Sequence, residues 1–564
     1  MKSWRLKVLT FFIFILAAIV ISRLFYIQIL NGKFYQAQAL GQQAGFKEIS
    51  GDRGQVFLSN SKDTRGQFDS EQVKSLAINQ DSWLLYTVPS KIEDRQEFSK
   101  TVAQAIGETE DSVISKIDQS ATYAIIKKNL SEEDIVNLKK LNLKDLYFEN
   151  TPSRFYPQKD VASQLIGFLG GGGNGQYGIE GYYDSILQGK KGIEEKRKGL
   201  DLLNSESATY LDGSDLYLTI DYNIQFQAEA LLEESKKNVD IDSGQVIVLK
   251  PDSGRILALA NFPHFDPNEY SKENNFDIFQ NAMVQKIFEP GSIFKPFTMA
   301  IALEERKVSP DDMFFDSGSL TIGPDTVYNF DRKKYGQQTM SGILEKSINT
   351  GAVYLSQKVS HKTFLDYIDK LGFSEKTGVD LQGEVSSRNE GLKKGSVFQF
   401  ATASFGQGIE MTPIQLASAF SIFANGGKLI KPYVVSKITH EDEEQKTEPK
   451  IYSNVISEKT ATEVTTMMIN VVERGFGSGA KVPGYYLAGK TGTAQVPLSN
   501  GKGYYQDKTV QSFIGFGPAL NPEFLILVKL DNPKVSASAL SAAPIFKKLS
   551  KYIIDYWQIP PDYQ

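Results

Sequence analysis

The chain has 564 residues, 41% of them hydrophobic, with a net charge of -5, three histidines and no cysteine. A single core rarely grows past about 300 residues, so at least two folded domains are expected. The missing cysteines exclude disulfide scaffolds, cysteine metal sites and thiol nucleophiles; the scattered His264, His361 and His440 lack zinc spacing, and the mild negative charge offers no field for nucleic acid.

The first element is apolar. Lys2, Arg5 and Lys7 precede a run over residues 8–21, and apolarity resumes over 24–30. A bilayer core takes about 20 apolar residues, a length reached when Lys7 and Arg23 snorkel. Bulky Ile19, Val20 and Ile21 leave no small-residue cleavage site. An uncleaved single-pass anchor over 8–30 in the cytoplasmic membrane is therefore expected, with residues 1–7 in the cytoplasm and the remainder outside.

Residues 31–212 read as a mixed region, with strand-like Trp83-Leu84-Leu85-Tyr86, a charged helical stretch over 131–140 and a glycine loop over 170–175. Gly173-x-Gly175-x-x-Gly178 formally matches a dinucleotide fingerprint, but a lone match is weak and is rejected. A boundary is expected near Asp212-Gly213. Beyond it, 216–220 reads as a strand and 223–235 as an amphipathic helix. Residues 244–249 and 255–260 read as a hairpin about the turn at 251–254. Helical patterns follow at 297–305, 340–360 and 412–424, the acidic run 441–444 reads as a solvated loop, and strands return at 511–516 and 523–530 before a helix at 543–556. Strands at both ends with helices between predict one sheet built from distant sequence and covered by helices.

With no cysteine and no placed histidine, a serine activated by a lysine is the remaining nucleophile chemistry. Ser292-Ile293-Phe294-Lys295 follows Glu289-Pro290-Gly291 and opens a helical segment. A spacing of three puts both side chains on one face, and the helix start favours developing negative charge at the serine. Pro296 predicts a tight or irregular first turn. Ser347-Ile348-Asn349 lies inside a helical pattern, and Lys490-Thr491-Gly492-Thr493 in a strand pattern. There Thr491 and Thr493 share a face, and Gly492 leaves room for a substrate backbone. Each motif has a second copy, at Ser59-x-x-Lys62, Ser387-Arg388-Asn389 and Lys376-Thr377-Gly378. The first lies in a polar stretch assigned to the surface, and the last reads as a turn.

The three motifs in this order resemble the signature of penicillin-binding proteins and serine β-lactamases. The resemblance extends to Leu218-Thr219-Ile220-Asp221 with Gln225, to residues 251–268, and to Gly406-Gln407-Gly408 with Thr412-Pro413, Gln415 and Asn425-Gly426-Gly427. It continues in Ser512-Phe513-Ile514-Gly515-Phe516. Upstream, Arg53-Gly54, Arg154-Phe155-Tyr156-Pro157 and the stretch 178–184 resemble the non-catalytic pedestal of class B members. There the family usually continues with an Asp-Arg pair, and this chain has Leu58-Ser59. Nothing in 31–212 resembles the glycosyltransferase domain of class A. The fold implied is α/β (α+β), a penicillin-binding transpeptidase or serine β-lactamase-like antiparallel sheet covered by helices. An anchor and a dimerisation-type pedestal over 31–212 precede a catalytic domain over 213–564.

The resemblance implies a monofunctional D,D-transpeptidase that cross-links peptidoglycan stem peptides ending in D-Ala-D-Ala, with β-lactams as inhibitors and no cofactor or metal. Ser292 would be the nucleophile and Lys295 the base, its pKa depressed by burial and by Lys490. Ser347 would relay the proton, Asn349 would hold the substrate amide, Lys490 with the hydroxyls of Thr491 and Thr493 would bind the terminal carboxylate, and Gly492 would let the substrate backbone lie alongside. The backbone N–H groups of Ser292 and Thr493 would form the oxyanion hole. Membrane lipid, a membrane glycan polymerase and division or elongation proteins are the implied partners, and Leu76-Ala77 with residues 83–89 resembles the division branch. A D,D-carboxypeptidase or β-lactamase, and a non-catalytic penicillin sensor or division scaffold, are the alternatives.

Overall fold

The computed structural model describes residues 46–59, 73–118, 123–195, 212–498 and 503–563, with six isolated residues between 4 and 20. The expected anchor over 8–30 lies almost wholly outside the described residues. Among those described, no helix is long and apolar enough to cross a membrane. The chain divides into two compact units, residues 1–54 with 185–214 and residues 55–184 with 215–564. In the first, strands Phe46–Ser50 and Lys191–Glu195 pair antiparallel, and the Asp52 N–H donates to Asp212 Oδ1 at 2.7 Å.

The second unit opens with β1 (Val56–Ser59), β2 (Val73–Thr87), α1 (Arg95–Ile106), α2 (Glu110–Asp118), β3 (Ala124–Leu130), α3 (Glu132–Lys140) and β4 (Leu146–Phe155). Local chemistry sets several of these boundaries. The Asp94 carboxylate accepts the first free N–H groups of α1, and Gly107 closes that helix at φ 70°. A Ser131/Asp134 capping box starts α3. Then come β5 (Asp215–Asp221), α4 (Tyr222–Val239), β6 (Ser243–Leu249), β7 (Ile256–Phe262) and α5 (Lys295–Glu304). Two small hairpin-forming pairs follow, β8 (Met313–Asp316) with β11 (Gly336–Thr339), and β9 (Ser319–Ile322) with β10 (Asp325–Tyr328). The chain continues through α6 (Met340–Glu345), α7 (Asn349–Gln357), α8 (Pro413–Phe420), β12 (Val435–His440), β13 (Glu443–Lys446), α9 (Glu458–Arg474), β14 (Ala488–Pro497), β15 (Tyr504–Gly517), β16 (Phe524–Asp531) and α10 (Ala542–Trp557).

Two sheets organise this unit. A five-stranded antiparallel sheet has the order β7-β6-β16-β15-β14, so its strands do come from opposite ends of the segment. Period-two alternation gives each strand two faces to bury. On β16, Phe524, Ile526, Val528 and Leu530 join Ile224, Leu232, Phe546, Leu549 and Ile553 in one core under α4 and α10. On the other face, Phe516 of β15 meets Phe420 of α8, which meets Phe297 of α5. The second sheet has the order β13-β12-β5-β1-β2-β3, with β4 also on β2, and here β1 runs parallel to β5.

Three expectations need correction. The helical pattern over 340–360 is two helices, broken at Lys346–Ile348, where Ser347 takes φ 51°; side-chain period alone does not register a left-handed residue. The acidic run is not all loop: Glu441 turns at φ 53° and Glu443 begins exposed strand β13, paired with β12. Ser59 is buried at 5% exposure at the end of β1, whereas Lys62 of that motif copy lies outside the described residues. Of the rejected fingerprint's glycines, Gly178 opens a helix of only five residues, and a Cβ on it would sit against the Leu165 carbonyl oxygen, so close packing accounts for that glycine.

Candidate active site

The nucleophile turn comes first. Residues Gly291–Phe294 form a 3-10 turn that runs into α5 at Lys295, with Pro296 in the first α-helical turn, as the sequence predicts. Proline is tolerated there because the early helical N–H groups have no intrahelical partner. Ser292 is half-buried and therefore reachable, whereas Lys295 is fully buried. Glycines hold the turn tightly. A Cβ on Gly406 would lie 2.0 Å from the Gly291 carbonyl oxygen, and the Gly291 N–H donates to the Gly406 carbonyl at 3.0 Å.

The second motif meets Lys295 from α7. Lys295 Nζ donates to the Ser347 carbonyl at 2.5 Å and to Asn349 Oδ1 at 2.7 Å, and lies 3.1 Å from Ser347 Oγ. The left-handed backbone at Ser347 ends α6 and lets the same residue offer both a main-chain and a side-chain oxygen.

The third motif lies on β14, the edge strand of the five-stranded sheet. Lys490 is fully buried, and its Nζ donates to Ser347 Oγ at 2.9 Å, to the Thr491 carbonyl at 3.0 Å and to Thr491 Oγ1 at 3.2 Å. One serine hydroxyl thus bridges two buried lysines. Thr493 is half-buried, with Oγ1 3.5 Å from Ser538 Oγ. Gly492 has a visible reason besides the expected room for substrate. A Cβ there would meet Ser512 Oγ at 2.5 Å, Ile293 at 2.8 Å and the Pro290 carbonyl at 3.0 Å, so this glycine lets the strand lie on the nucleophile turn.

Electrostatics follow from the burial. Removing an ammonium from water disfavours its charge, and a second cation adds to that. Burial, then Lys490, pushes Lys295 well below its usual range, and burial brings Lys490 to about 7. A neutral Lys295 has two N–H donors, enough for the Ser347 carbonyl and Asn349 Oδ1, and keeps a lone pair to take a hydroxyl proton. Among the described residues the Ser292 hydroxyl makes no hydrogen bond; the other four polar residues, Lys295, Ser347, Asn349 and Lys490, form one connected set with Thr491.

The motif copies serve local structure. Asn389 donates to the Phe373 and Glu410 carbonyls, and Glu384 accepts from the Thr377 hydroxyl and N–H and from Gly378. Of the histidines, His361 stacks on Phe400 and His264 sits between Asp160 and Glu233. Sequence reasoning passed over Glu289. Its buried carboxyl accepts from the Gly408 N–H at 3.0 Å and the Tyr504 hydroxyl at 3.1 Å, and burial raises its pKa to about 7. It ties the residues before Ser292 to the loop of Gly406 and to β15. A single chain gives no signal for it beyond its position before Pro290-Gly291.

Residues 244–551 match the model of the penicillin-binding protein transpeptidase domain, and residues 60–218 that of the penicillin-binding protein dimerisation domain. Stage V sporulation protein D of Bacillus subtilis is 32% identical over 556 residues, covering 96% of this chain and 84% of that protein. A peptidoglycan D,D-transpeptidase FtsI homolog of Mesostigma viride is 28% identical over 583 residues, covering 97% and 94%. Among solved structures, penicillin-binding protein 3 of Mycobacterium tuberculosis in complex with aztreonam superposes with a TM-score of 0.70 at 25% identity, covering 91% of this chain and 98% of that one.

Proposed function

The chain belongs to the penicillin-binding protein transpeptidase family, and on that premise we propose that it is a peptidoglycan D,D-transpeptidase acting through a serine acyl-enzyme. The observation that carries this reading is the Ser347 hydroxyl bridging two fully buried lysines, one of which follows half-buried Ser292 by one turn. Ser292 Oγ attacks the penultimate D-Ala carbonyl of a donor stem peptide as its proton passes to neutral Lys295. The oxygen that gains charge faces the N–H groups of Ser292 and Thr493; the first belongs to the second residue of a 3-10 turn, where an N–H has no partner within the turn. The C–N bond to the terminal D-Ala breaks, and the proton reaches that leaving amine through Ser347. Lys490, Thr491 and Thr493 hold its carboxylate, Gly492 keeps their strand against the nucleophile turn, and Asn349 holds the substrate amide. An amine of a neighbouring stem peptide then attacks the ester, forms the cross-link and frees Ser292. A β-lactam enters the same acylation step as the donor.

The same reading assigns residues 213–564 to catalysis, 31–212 to a pedestal, 8–30 to a membrane anchor and 1–7 to the cytoplasm. The two family-model matches support the first two assignments, and the apolar sequence over 8–30 supports the third. We place the protein in septal wall synthesis beside a membrane glycan polymerase. The division-type resemblance of the pedestal sequence supports that placement.

Intact mass of the full chain in detergent after exposure to benzylpenicillin tests the chemistry. One stable adduct, absent from Ser292→Ala, is expected. Drug consumed without an adduct would point to a β-lactamase, and no adduct with no consumption in a folded chain would sink the catalytic reading in favour of a scaffold.

A further inference from the structure

Helix α7 carries Asn349 in its first turn, yet it begins without a cap of its own. The residue before it is Ile348, and no side chain at that position accepts an N–H. The first N–H groups of a helix need outside acceptors when water is excluded. The acceptor here is Asn329, from the segment between β10 and β11. Its Oδ1 takes the Asn349 N–H at 3.0 Å and the Thr350 N–H at 3.3 Å. The preceding carbonyl, of Tyr328, accepts from Asn349 Nδ2 at 2.8 Å. That bond fixes which end of the Asn349 amide faces Lys295, since the donor end is engaged and Oδ1 is left for the amine.

Asn329 is itself held. Its Nδ2 donates to Asp316 Oδ2 at 2.8 Å and to the Lys333 carbonyl at 3.0 Å. Asp316, at the end of β8, also accepts from the Thr350 hydroxyl at 2.6 Å and from the N–H groups of Gly318 and Tyr335, each at 2.9 Å. Asp316 is 1% exposed and Asn329 3%. A buried carboxylate that accepts four hydrogen bonds is a rigid anchor, because breaking one of them strands a desolvated charge.

We propose that Asn329, locked by Asp316, is a positioning residue for acylation: it caps the helix of Asn349 from outside and thereby fixes the oxygen that holds Lys295. The proposal rests on the transpeptidase reading, in which Lys295 is the base. Neither residue touches the reacting atoms. Their effect passes through Asn349, whose displacement by a fraction of an ångström changes both the aim of the Lys295 lone pair and the balance between amine and ammonium.

The test is the second-order rate of Ser292 acylation by benzylpenicillin against pH, with the melting temperature measured alongside, in the full chain. Asn329→Ala is expected to acylate roughly 30-fold more slowly or worse. The acid limb of its profile should move to lower pH, because the ammonium loses an acceptor when Asn349 swings away. A purely structural defect would scale the active fraction and leave the limb in place. Asn329→Asp sets a carboxylate against Asp316 and against the Lys333 carbonyl and should also be slow. Thr350→Val is the milder variant: it keeps the shape and removes one of the four hydrogen bonds to Asp316, and should slow acylation roughly threefold with the limb moving the same way. It carries the test if Asn329→Ala does not fold. Parent-like rate and limb in Asn329→Ala, or in Thr350→Val where Asn329→Ala does not fold, overturns the proposal while leaving the transpeptidase reading intact. A parent chain that takes no adduct at Ser292 overturns both.

Discussion

The two segments that meet at Lys295 are built in opposite ways. The nucleophile turn is made from its own neighbours: Pro290, Gly291 and Pro296 shape it, and Gly406 and Gly492 let the chain close on it from two sides. The segment of Ser347 and Asn349 has little of its own. It holds a left-handed serine and an uncapped helix start, and it is kept in place by Tyr328, Asn329 and Asp316 from another part of the chain. A turn set by backbone restriction tolerates side-chain change around it and fails when a glycine gains a side chain. A segment set by polar contacts should fail the other way, through loss of single donors or acceptors.

The largest expected effect removes the point where both segments meet. Lys295→Ala should lower the rate of Ser292 acylation by roughly 10²–10⁴-fold, the range for a general base. Intact mass against time gives the rate, and a loss below tenfold would mean that another group takes the serine proton. Next comes the nucleophile turn alone. Gly406 stands at φ 82°, and a methyl group there would press on the Gly291 carbonyl. Gly406→Ala should cost about 1–2 kcal/mol from backbone strain before any clash and slow acylation by on the order of 100-fold. Acylation at the parent rate would show that the turn has slack, and would weaken the contrast with the second motif.

The contrast also explains what the sequence makes legible. Ser292, Lys295, Ser347, Asn349 and Lys490 could be picked out because each motif is short and contiguous, and because strand and helix periods place the side chains. The five-stranded sheet was foreseeable from apolar runs at 244–249, 511–516 and 523–530, which the structure pairs across the sheet. Asn329 and Asp316 could not be found in this way. An Asp and an Asn in a polar stretch of short strands look like turn residues, and their meaning arises only when β8 and β10 are brought against α7. The break at Ser347 was hidden for a related reason: apolar residues on both sides keep helical spacing, and a serine at positive φ leaves no trace in that pattern. At Gly492 the close neighbours Ile293 and Ser512 come from other elements, so the strand period does not reveal that packing.

A smaller effect separates the two lysines by pH. Burial brings Lys490 to about 7, and Lys295 lies well below its usual range. Acylation needs Lys295 neutral and Lys490 charged. The second-order rate constant, which reports the free protein, should therefore rise along an acid limb and fall again as pH passes about 7, when Lys490 loses its proton and its hold on the drug carboxylate. Lys490→Arg stays charged throughout. It should acylate more slowly at neutral pH because Arg does not fit the Ser347 and Thr491 contacts, but its profile should lack the fall above pH 7. An alkaline fall that survives in Lys490→Arg would assign that limb to another group.

The smallest effect returns to the nucleophile side and is read in stability. Burial raises Glu289 from about 4.5 to about 7, so the folded chain holds that proton more tightly than the unfolded one. The sign follows from linkage: this contribution is fully present below about pH 4.5 and is lost as pH rises through about 7, where a buried carboxylate must carry its charge. Glu289→Gln keeps an oxygen for the Gly408 N–H and an amide for the Tyr504 hydroxyl, without a titrating proton. Relative to the parent, the variant should gain roughly 3 °C in melting temperature between pH 5 and pH 8. If the gap between the two proteins is the same at both pH values, Glu289 carries its charge inside the fold at no cost. The tie from the nucleophile turn to β15 would then be a polar anchor of hydrogen bonds, as Asp316 is on the other side of Lys295, and the two segments would be less unlike than their glycines suggest.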